Sequence, residues 1–495
     1  MRVALRGEYP GIASPGSLSG GHAPVAAAAP VAVAALAGAA AWVLDPLWAL
    51  PLLAVAAWYA VVRVAAAPAA LVAWIAAYSL LGDKMVISLG VGGGEGLLRL
   101  GPLVSIGLMG ALLLADEGAR RAAVDVVRWG APAALFVAFG TALPLIGALT
   151  DYPLRTVSAA IIPLATGASL VFGVLVARSG VDRDRVRYVA LTSITVVAAL
   201  AGLVLFLHYR GITLPLAITL HEWGLATAEA YGGIWLIGRV GGLYTNPNIL
   251  ATLGGLALVF AAFGRVTLAQ RVALVMPALA IMLVTQSRGA LVGALVAVCV
   301  GAAFGRRRSS LVRWQTIITW MLVVAVAVVA VAGAAVAFPH TAAALADRIA
   351  SAVRVITEGV HADPNLAGRV VFWSAAWDLL QHRVLGTFGP PELLLGTAID
   401  NDYLRFALQG GFLYAGAWIL YLAWLMSTGL RGGADRFVGA GAVFLALTAI
   451  TQTPSAYVMV IGMFSLFVGM HVERLRVEAL RDGARATREG QERTA

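Results

Sequence analysis

Apolar residues occur along the chain in long runs that short polar segments separate. Fourteen of these runs are long enough, or nearly so, to cross a bilayer as a helix, since a span needs about 20 apolar residues. They cover residues 25–44, 46–64, 66–82, 101–115, 131–149, 155–177, 188–207, 247–264, 268–286, 288–305, 314–338, 402–428, 434–452 and 455–472. The pattern predicts an all-α fold, a polytopic membrane bundle of 12–14 transmembrane helices.

The composition excludes the other broad classes of protein. Of the 495 residues, 60% are hydrophobic and 12% are charged, against roughly 25% charged residues in an average soluble domain. That much apolar surface cannot be buried in a water-soluble globule of this size, nor left exposed in a disordered chain. The single cysteine, Cys299, excludes an intrachain disulfide and a cysteine metal cluster.

The arginines predict the orientation of the bundle. If the N-terminus is cytoplasmic and fourteen spans alternate, every loop on the cytoplasmic side carries arginine, as the positive-inside rule requires. These are Arg63, Arg120, Arg121, Arg128, Arg178, Arg183, Arg185, Arg187, Arg265, Arg271, Arg306, Arg307, Arg308, Arg313, Arg431 and Arg436. Membrane topology therefore accounts for the net charge of +10, which does not indicate nucleic-acid binding. Both termini are predicted to be cytoplasmic.

This topology divides the chain into seven segments. They are a cytoplasmic tail (1–22), transmembrane helices 1–7 (23–207), an outer loop (208–246), transmembrane helices 8–11 (247–338), a long outer loop (339–401), transmembrane helices 12–14 (402–472) and a cytoplasmic tail (473–495). In the long outer loop, Val370, Trp373, Trp377 and Leu380 recur at helical spacing. This periodicity predicts amphipathic helices that lie on the outer membrane surface.

Arginines on the outer side break the positive-inside rule and are therefore candidates for chemistry. Arg288 lies in the tight hairpin Thr285–Gly289, while Arg239 and Arg369 lie in the two outer loops. An arginine at the edge of the hydrocarbon is costly unless an anion satisfies it, and its planar fork suits phosphate. The alternative is that these side chains extend to lipid headgroups.

Two further outer segments carry candidate polar residues. Asn246–Pro247–Asn248 opens the eighth span, either as a plain helix start or with its N–H groups aimed at an anion. Asp400–Asn401–Asp402–Tyr403 closes the long outer loop. Its carboxylates supply a general base or, alternatively, cap a helix and pair with arginine. No His, Cys and carboxylate cluster has a spacing that predicts a metal site.

In their order and spacing, three segments resemble the O-antigen ligase/polymerase family of bacterial membrane glycosyltransferases. They are Asn246–Asn248, Thr285–Gly289 and the loop that runs from Gly368–Arg369 through Asp400–Leu404 to Gly410–Gly411, and the resemblance covers about residues 240–430. It implies metal-independent, inverting transfer of a glycan from a polyprenyl-pyrophosphate donor to an acceptor hydroxyl, at the outer face of the cell membrane and without a cofactor. Where ligases normally have a His-Asn pair this chain has Asp400–Asn401, which favours a polysaccharide polymerase over a ligase.

The resemblance also implies roles for individual residues. Asp400 or Asp402 would accept the proton of the acceptor, and Arg288 would stabilise the departing pyrophosphate. The substrate-binding candidates are Arg239, Arg369, Asn246, Asn248, Asn401 and Tyr403. The implied partners are the lipid-linked donor, an acceptor glycan or glycolipid and membrane lipid. A chain-length regulator protein is a further candidate partner, and nucleic acid is not among them.

Two other functions are compatible with a chain of this kind. The main alternative is a transporter or flippase for lipid-linked glycans, which needs ionisable groups along a path near mid-membrane. In this chain the charges lie at the ends of the predicted spans. The second alternative is a cell-wall glycan polymerase of the shape and division type, which also depends on an aspartate in an outer loop.

Overall fold

A computed structural model describes residues 86–91, 94–149, 153–208, 212, 247–304, 357–396, 399–431 and 435–494, with single positions between 321 and 355. The predicted tail 1–22 and the first three predicted spans lie outside the described residues. So do the outer loop 208–246, apart from residues 208 and 212, and most of the span predicted over 314–338.

Nearly all of the described residues are helical, which confirms the predicted helical fold class. The helices whose bounds are described are α1 (Leu100–Ala115), α2 (Glu117–Trp129), α3 (Ala131–Gly147), α4 (Pro153–Arg178), α5 (Arg183–His208), α6 (Pro247–Phe263), α7 (Leu268–Thr285), α8 (Arg288–Ala303), α9 (Pro364–His382), α10 (Glu392–Leu395), α11 (Asp402–Arg431), α12 (Arg436–Thr448) and α13 (Val458–Thr494). An antiparallel hairpin of β1 (Val86–Val91) and β2 (Gly94–Arg99), which the sequence pattern did not predict, precedes α1.

Three of the described helices are long and apolar enough to cross a membrane. They are α5, α11 and the Ala159–Arg178 part of α4, and the bent pair of α2 and α3 raises the number to at most four. Shorter apolar helices, among them α6, α7, α8 and α12, accompany them. The chain is thus compatible with a membrane protein, but the predicted count of fourteen spans is not confirmed.

Helix α6 lies at the centre of the described bundle. Its residues from Pro247 to Ala262 are all buried, and it packs against α5, α7, α8 and α12. A helix that is apolar on all sides has no face to turn to water, so it becomes the core that other helices surround. The helix begins at Pro247, which confirms the predicted helix start.

Helix α2 occupies a segment predicted as a cytoplasmic loop. Asp116 caps it by accepting a hydrogen bond from the Ala119 backbone N–H at 2.8 Å, and its buried face packs against α4 and α13. At Gly130 the chain turns by 103° into α3. The sequence pattern predicted the arginines here but not the helix that carries them.

Loops predicted to be cytoplasmic meet at one end of the bundle, which we call the basic end. There Arg178 pairs with Asp125 of α2 and with Glu473 of α13, the latter at 3.0 Å. At the start of α5, Arg187 contacts both carboxylate oxygens of Asp435, at 2.7 and 3.0 Å. These pairs join helices that are far apart in sequence.

Asp435 lies at the centre of a buried charged network. Besides Arg187, it accepts a hydrogen bond from His471 Nδ1 at 3.0 Å. Burial alone would raise the pKa of this carboxyl, but Arg187 and His471 outweigh that effect and hold the pKa well below its usual range. The carboxylate is therefore ionised at neutral pH and ties α5, α12 and α13 together.

The opposite end of the bundle is organised by a break in α11. Gly410 and Gly411 leave the helical conformation, with φ of +67° at Gly411. The break frees the carbonyls of Leu408 and Gln409, which accept hydrogen bonds from the backbone N–H groups of Thr387 and Phe388 at 2.6 and 2.9 Å. The loop after α9 is thereby held against the first turns of α11.

Helix α9 forms in the predicted outer loop, and the stripe predicted to lie on the membrane surface is only partly exposed. Leu380 is 2% exposed, whereas Trp377 is 48% and Val370 is 38% exposed. Leu380 lies on the face turned toward the protein, together with Arg369 and Ala376. Apolar residues lie on both sides of α9, so periodicity alone did not identify the packed side.

The buried network predicts a large stability loss for Asp435→Asn, because Arg187 would remain buried without its carboxylate. Breaking such a pair costs about 3–5 kcal/mol. Since the folded pKa lies below the unfolded value of about 3.9, this contribution persists at higher pH and is lost as pH falls below that value. Thermal unfolding in detergent at pH 7 measures it.

The matched control is Glu117→Gln, which removes the exposed pair of Arg121 and Glu117 on α2. Exposed pairs contribute little, so this variant should unfold at the same temperature as the unaltered chain. Equal melting temperatures for the two variants would contradict the tie between α5, α12 and α13.

A second prediction concerns the crossing of α4 and α13. A Cβ added at Gly173 would lie 2.0 Å from the carbonyl oxygen of Leu466, and one at Gly469 would lie 2.0 Å from that of Leu170. Gly173→Ala should therefore force the two helices apart and lower the melting temperature. Gly416→Ala, whose Cβ would meet no atom within 4 Å, should leave it unchanged or raise it, and equal losses would contradict the prediction.

Candidate functional site

The Thr285–Gly289 hairpin is held in place by the segment between α12 and α13. Gln286, in the left-handed conformation with φ of +50°, ends α7, and α8 begins two residues later. Gln452 donates a hydrogen bond from Nε2 to Ser287 Oγ at 3.3 Å and accepts one from Thr252 of α6 at 3.0 Å. The predicted tight hairpin is confirmed, and its position depends on a glutamine that is distant in sequence.

Arg288 points toward the start of α9. Its guanidinium pairs with Asp363 and donates a hydrogen bond to Ser351 Oγ at 2.6 Å. Asp363 is buried, accepts a further hydrogen bond from Ser351 at 3.3 Å, and caps α9 through the Leu366 backbone N–H at 3.2 Å. Arg288 is thus tied to the first turn of the helix that carries Arg369.

Arg369 forms an ion pair with Asp400 at 3.2 Å. Both side chains are partly exposed, the carboxylate by 31%. Asp363 directly precedes α9 and Arg369 is the sixth residue of the helix, so the two positions are about 9 Å apart along the helix axis. Through their carboxylate partners, Arg288, Arg369 and Asp400 are all linked to the N-terminal part of one helix.

Asp402 is buried and links the start of α11 to the segment between α12 and α13. It is fully buried and accepts hydrogen bonds from the Ser455 backbone N–H at 3.0 Å and from the Ser455 hydroxyl at 2.5 Å. Its own backbone N–H donates to the Ala449 carbonyl at 2.9 Å. A general base must reach the acceptor, so of the two candidate aspartates Asp400 is the accessible one.

Asn401 and Tyr403 also make structural contacts. Asn401 caps α11 by accepting a hydrogen bond from the Leu404 backbone N–H at 3.1 Å. Tyr403 donates its hydroxyl hydrogen to the Ala446 carbonyl at 2.9 Å. Asn248 is buried in α6, where its carbonyl accepts a hydrogen bond from Thr252. The remaining two candidates, Arg239 and Asn246, lie outside the described residues.

Sequence reasoning missed Arg405. This arginine of α11 pairs with Glu392 of α10 at 3.0 Å and donates a hydrogen bond to Ser455 Oγ at 3.4 Å. The positive-inside rule could have identified Arg405, because this residue lies three positions after Asp402 on the predicted outer side, where arginine is unexpected. Asp363 was missed as well, and the Asp-Pro pair before a helical pattern was its only local sign.

We call Arg288, Arg369 and Arg405, with Asp363, Asp400 and Glu392, the arginine–carboxylate cluster. Each arginine has one carboxylate partner in this set, so the paired charges balance. An anionic ligand at one of these guanidinium groups would compete with its carboxylate. No group of three or more His, Cys, Asp or Glu side chains that could hold a metal ion is found among the described residues.

A small cavity extends from the cluster into the helix bundle. Arg405, Gln409 and Ser455 line its polar side, and Phe136, Ile162 and Pro163 are among its apolar residues. Its volume of about 20 Å³ accommodates about one water molecule. A lipid chain is too large for this cavity.

No known protein-family profile matches the chain, and no curated protein matches it either.

The contacts of Ser455 generate a prediction for this end of the bundle. Ser455→Ala removes one of the hydrogen bonds to the buried Asp402 carboxylate and should cost about 1–3 kcal/mol. Ser427→Ala is the control, because the Ser427 hydroxyl only donates to the Trp424 carbonyl of its own helix, at 2.9 Å. Chemical unfolding in detergent compares the two variants. If Ser427→Ala lowers the free energy of unfolding as much as Ser455→Ala does, the hydrogen bonds between Ser455 and Asp402 do not provide the predicted stability.

Proposed function

We propose that this chain is a membrane glycosyltransferase that moves a glycan from a polyprenyl-pyrophosphate donor to an acceptor hydroxyl, without a metal ion. The observation that carries the proposal is that Arg288 pairs with Asp363, directly before α9, while Arg369 in the second turn of the same helix pairs with the partly exposed carboxylate of Asp400. Polymerisation of a polysaccharide is preferred to ligation because position 400 is an aspartate.

The arginines would act on the leaving group. As the bond between the anomeric carbon and the phosphate oxygen breaks, its electron pair moves to the pyrophosphate. Guanidinium groups that are already in position stabilise this developing charge, and their planar fork matches two phosphate oxygens. Such stabilisation replaces the divalent cation that many transferases of this chemistry require.

Asp400 would act on the acceptor. The acceptor oxygen attacks the anomeric carbon, and its proton passes to the Asp400 carboxylate, so atoms and charges balance. Attack from the side opposite the pyrophosphate inverts the configuration at that carbon. The exposure of Asp400 and the complete burial of Asp402 support this choice of base.

The membrane setting fits the chemistry of such a donor. The described apolar helices are compatible with a bilayer, and the bilayer would hold the prenyl chain of the donor. The arginine–carboxylate cluster lies at one end of these helices. We place this end at the outer face of the cell membrane because it carries none of the predicted cytoplasmic loops. The acceptor would be a glycan or glycolipid at that face.

The distribution of charge favours an enzyme over a flippase for lipid-linked glycans. A transport path needs ionisable groups near mid-membrane. In the described helices α5, α6, α8 and α12, the arginines and carboxylates stand at or near the ends, and the middle turns carry none. The arginines that could bind a phosphate belong to the arginine–carboxylate cluster, which lies at one end of the bundle.

The test is transfer by purified protein in liposomes, with a polyprenyl-pyrophosphate oligosaccharide and candidate acceptors. Arg288→Ala and Arg369→Ala should each lower the rate about a hundredfold, the effect of losing one charge-stabilising donor. Arg288→Lys keeps the positive charge but loses the planar guanidinium, so its transfer rate should lie between those of the unaltered protein and Arg288→Ala. Because the alanine variants could also weaken folding, each is compared at equal folded fraction.

Arg383→Ala is the matched control, since Arg383 is exposed and follows α9 at the same end of the bundle. It should retain nearly full activity. Full transfer by both Arg288→Ala and Arg369→Ala would contradict the assignment of the site. Passage of the lipid-linked glycan across the liposome, with no sugar transferred, would establish the flippase instead.

A further inference from the structure

The pairs of the arginine–carboxylate cluster differ in how firmly each carboxylate is held. Asp363 is only 6% exposed, binds Ser351 and also caps α9. Arg405 of the Glu392 pair is additionally held by Ser455. Asp400 lies in an irregular segment before the cap of α11, is 31% exposed and contacts Arg369 at 3.2 Å. Glu392 is as exposed as Asp400, at 30%, but it belongs to α10, so Asp400 is the exposed carboxylate of the cluster that lies outside a helix.

A carboxylate and a phosphate compete for the same face of a guanidinium. Both ligands present two oxygens to the planar fork. A diphosphate bound to Arg369 would bring negative charge close to Asp400, and like charges at that separation repel. The two anions therefore exclude each other, and one must leave when the other arrives.

We propose that Asp400 is an internal substitute for the donor's pyrophosphate, and that donor binding displaces it from Arg369 and frees it as the base. This inference rests on the proposed function. While Asp400 is paired with Arg369, its Oδ2 faces the guanidinium and is not available to the acceptor hydroxyl. Once the pyrophosphate binds Arg369, the carboxylate no longer contacts that guanidinium and can turn to the acceptor hydroxyl.

The exchange couples the two halves of the reaction through one arginine. Arg369 holds the pyrophosphate while the new carbon–oxygen bond forms, and Asp400 takes the proton of the acceptor hydroxyl. After the lipid pyrophosphate leaves, Asp400 releases this proton to solvent and pairs with Arg369 again. The base is thus free only when a leaving group is bound.

The exchange predicts opposite effects of Asp400→Asn on binding and on catalysis. Removing the competing charge should tighten binding of farnesyl pyrophosphate, a short prenyl diphosphate without sugar, by at least about tenfold. The same variant should lose transfer by about a hundredfold or more, because an amide cannot accept the proton. Binding is measured by titration of the full chain in detergent micelles, and transfer in liposomes.

A double-mutant cycle separates exchange from an indirect effect. In the Arg369→Gln background, Asp400→Asn should give no gain in affinity, because the contested guanidinium is absent. Asp363→Asn is the comparison for a carboxylate held by other contacts, and it should tighten binding less than Asp400→Asn.

The outcomes distinguish this inference from the proposed function. If the unaltered protein transfers sugar and binds farnesyl pyrophosphate, but Asp400→Asn binds it no more tightly, the exchange is wrong and the transferase proposal stands. If Asp400→Asn binds more tightly in the Arg369→Gln background too, the exchange is also wrong. If the unaltered protein neither binds the diphosphate nor transfers sugar, both proposals fail.

Discussion

An arginine at the end of an apolar helix must find an anion, because an unpaired guanidinium near hydrocarbon is costly. The described bundle meets this constraint at both ends, but in different ways. At the basic end Arg187 and Asp435 are almost completely buried and join three helices. At the opposite end the carboxylate that pairs with Arg369 remains partly exposed. A buried pair holds helices together, whereas a partly exposed pair can exchange its partner for a ligand.

The sequence pattern predicted the local elements well where they depend on local chemistry. The start of α6 at Pro247 and the tight hairpin before Arg288 follow from residue types and spacing. The cap of α11 was predicted for a carboxylate, but Asn401 supplies it. The 103° turn at Gly130 was not predicted, and the pattern did not say which side of α9 packs against the protein. Both depend on which neighbours a helix packs against, and the hydrophobic pattern does not contain that information.

The candidate site shows the same division. Arg288, Arg369 and Asp400 were identified because they break the positive-inside rule or lie in distinctive motifs. Their partners were not identified from the sequence. Asp363, for example, is 75 residues from Arg288, and only the folded chain brings the two together. The distinction between Asp400 and Asp402 also required the structure, because two residues of the same type, two positions apart, differ in burial and not in sequence.

The most direct measurement is an experimental structure of the full chain in a lipid nanodisc with a bound prenyl pyrophosphate. We expect phosphate oxygens at about 2.7–2.9 Å from the guanidinium groups of Arg288 or Arg369, with Asp400 no longer in contact with Arg369. The central claim is that Arg288 and Arg369 bind the pyrophosphate leaving group. It would be contradicted by a diphosphate bound elsewhere on the protein while the Arg288–Asp363 and Arg369–Asp400 pairs remain intact.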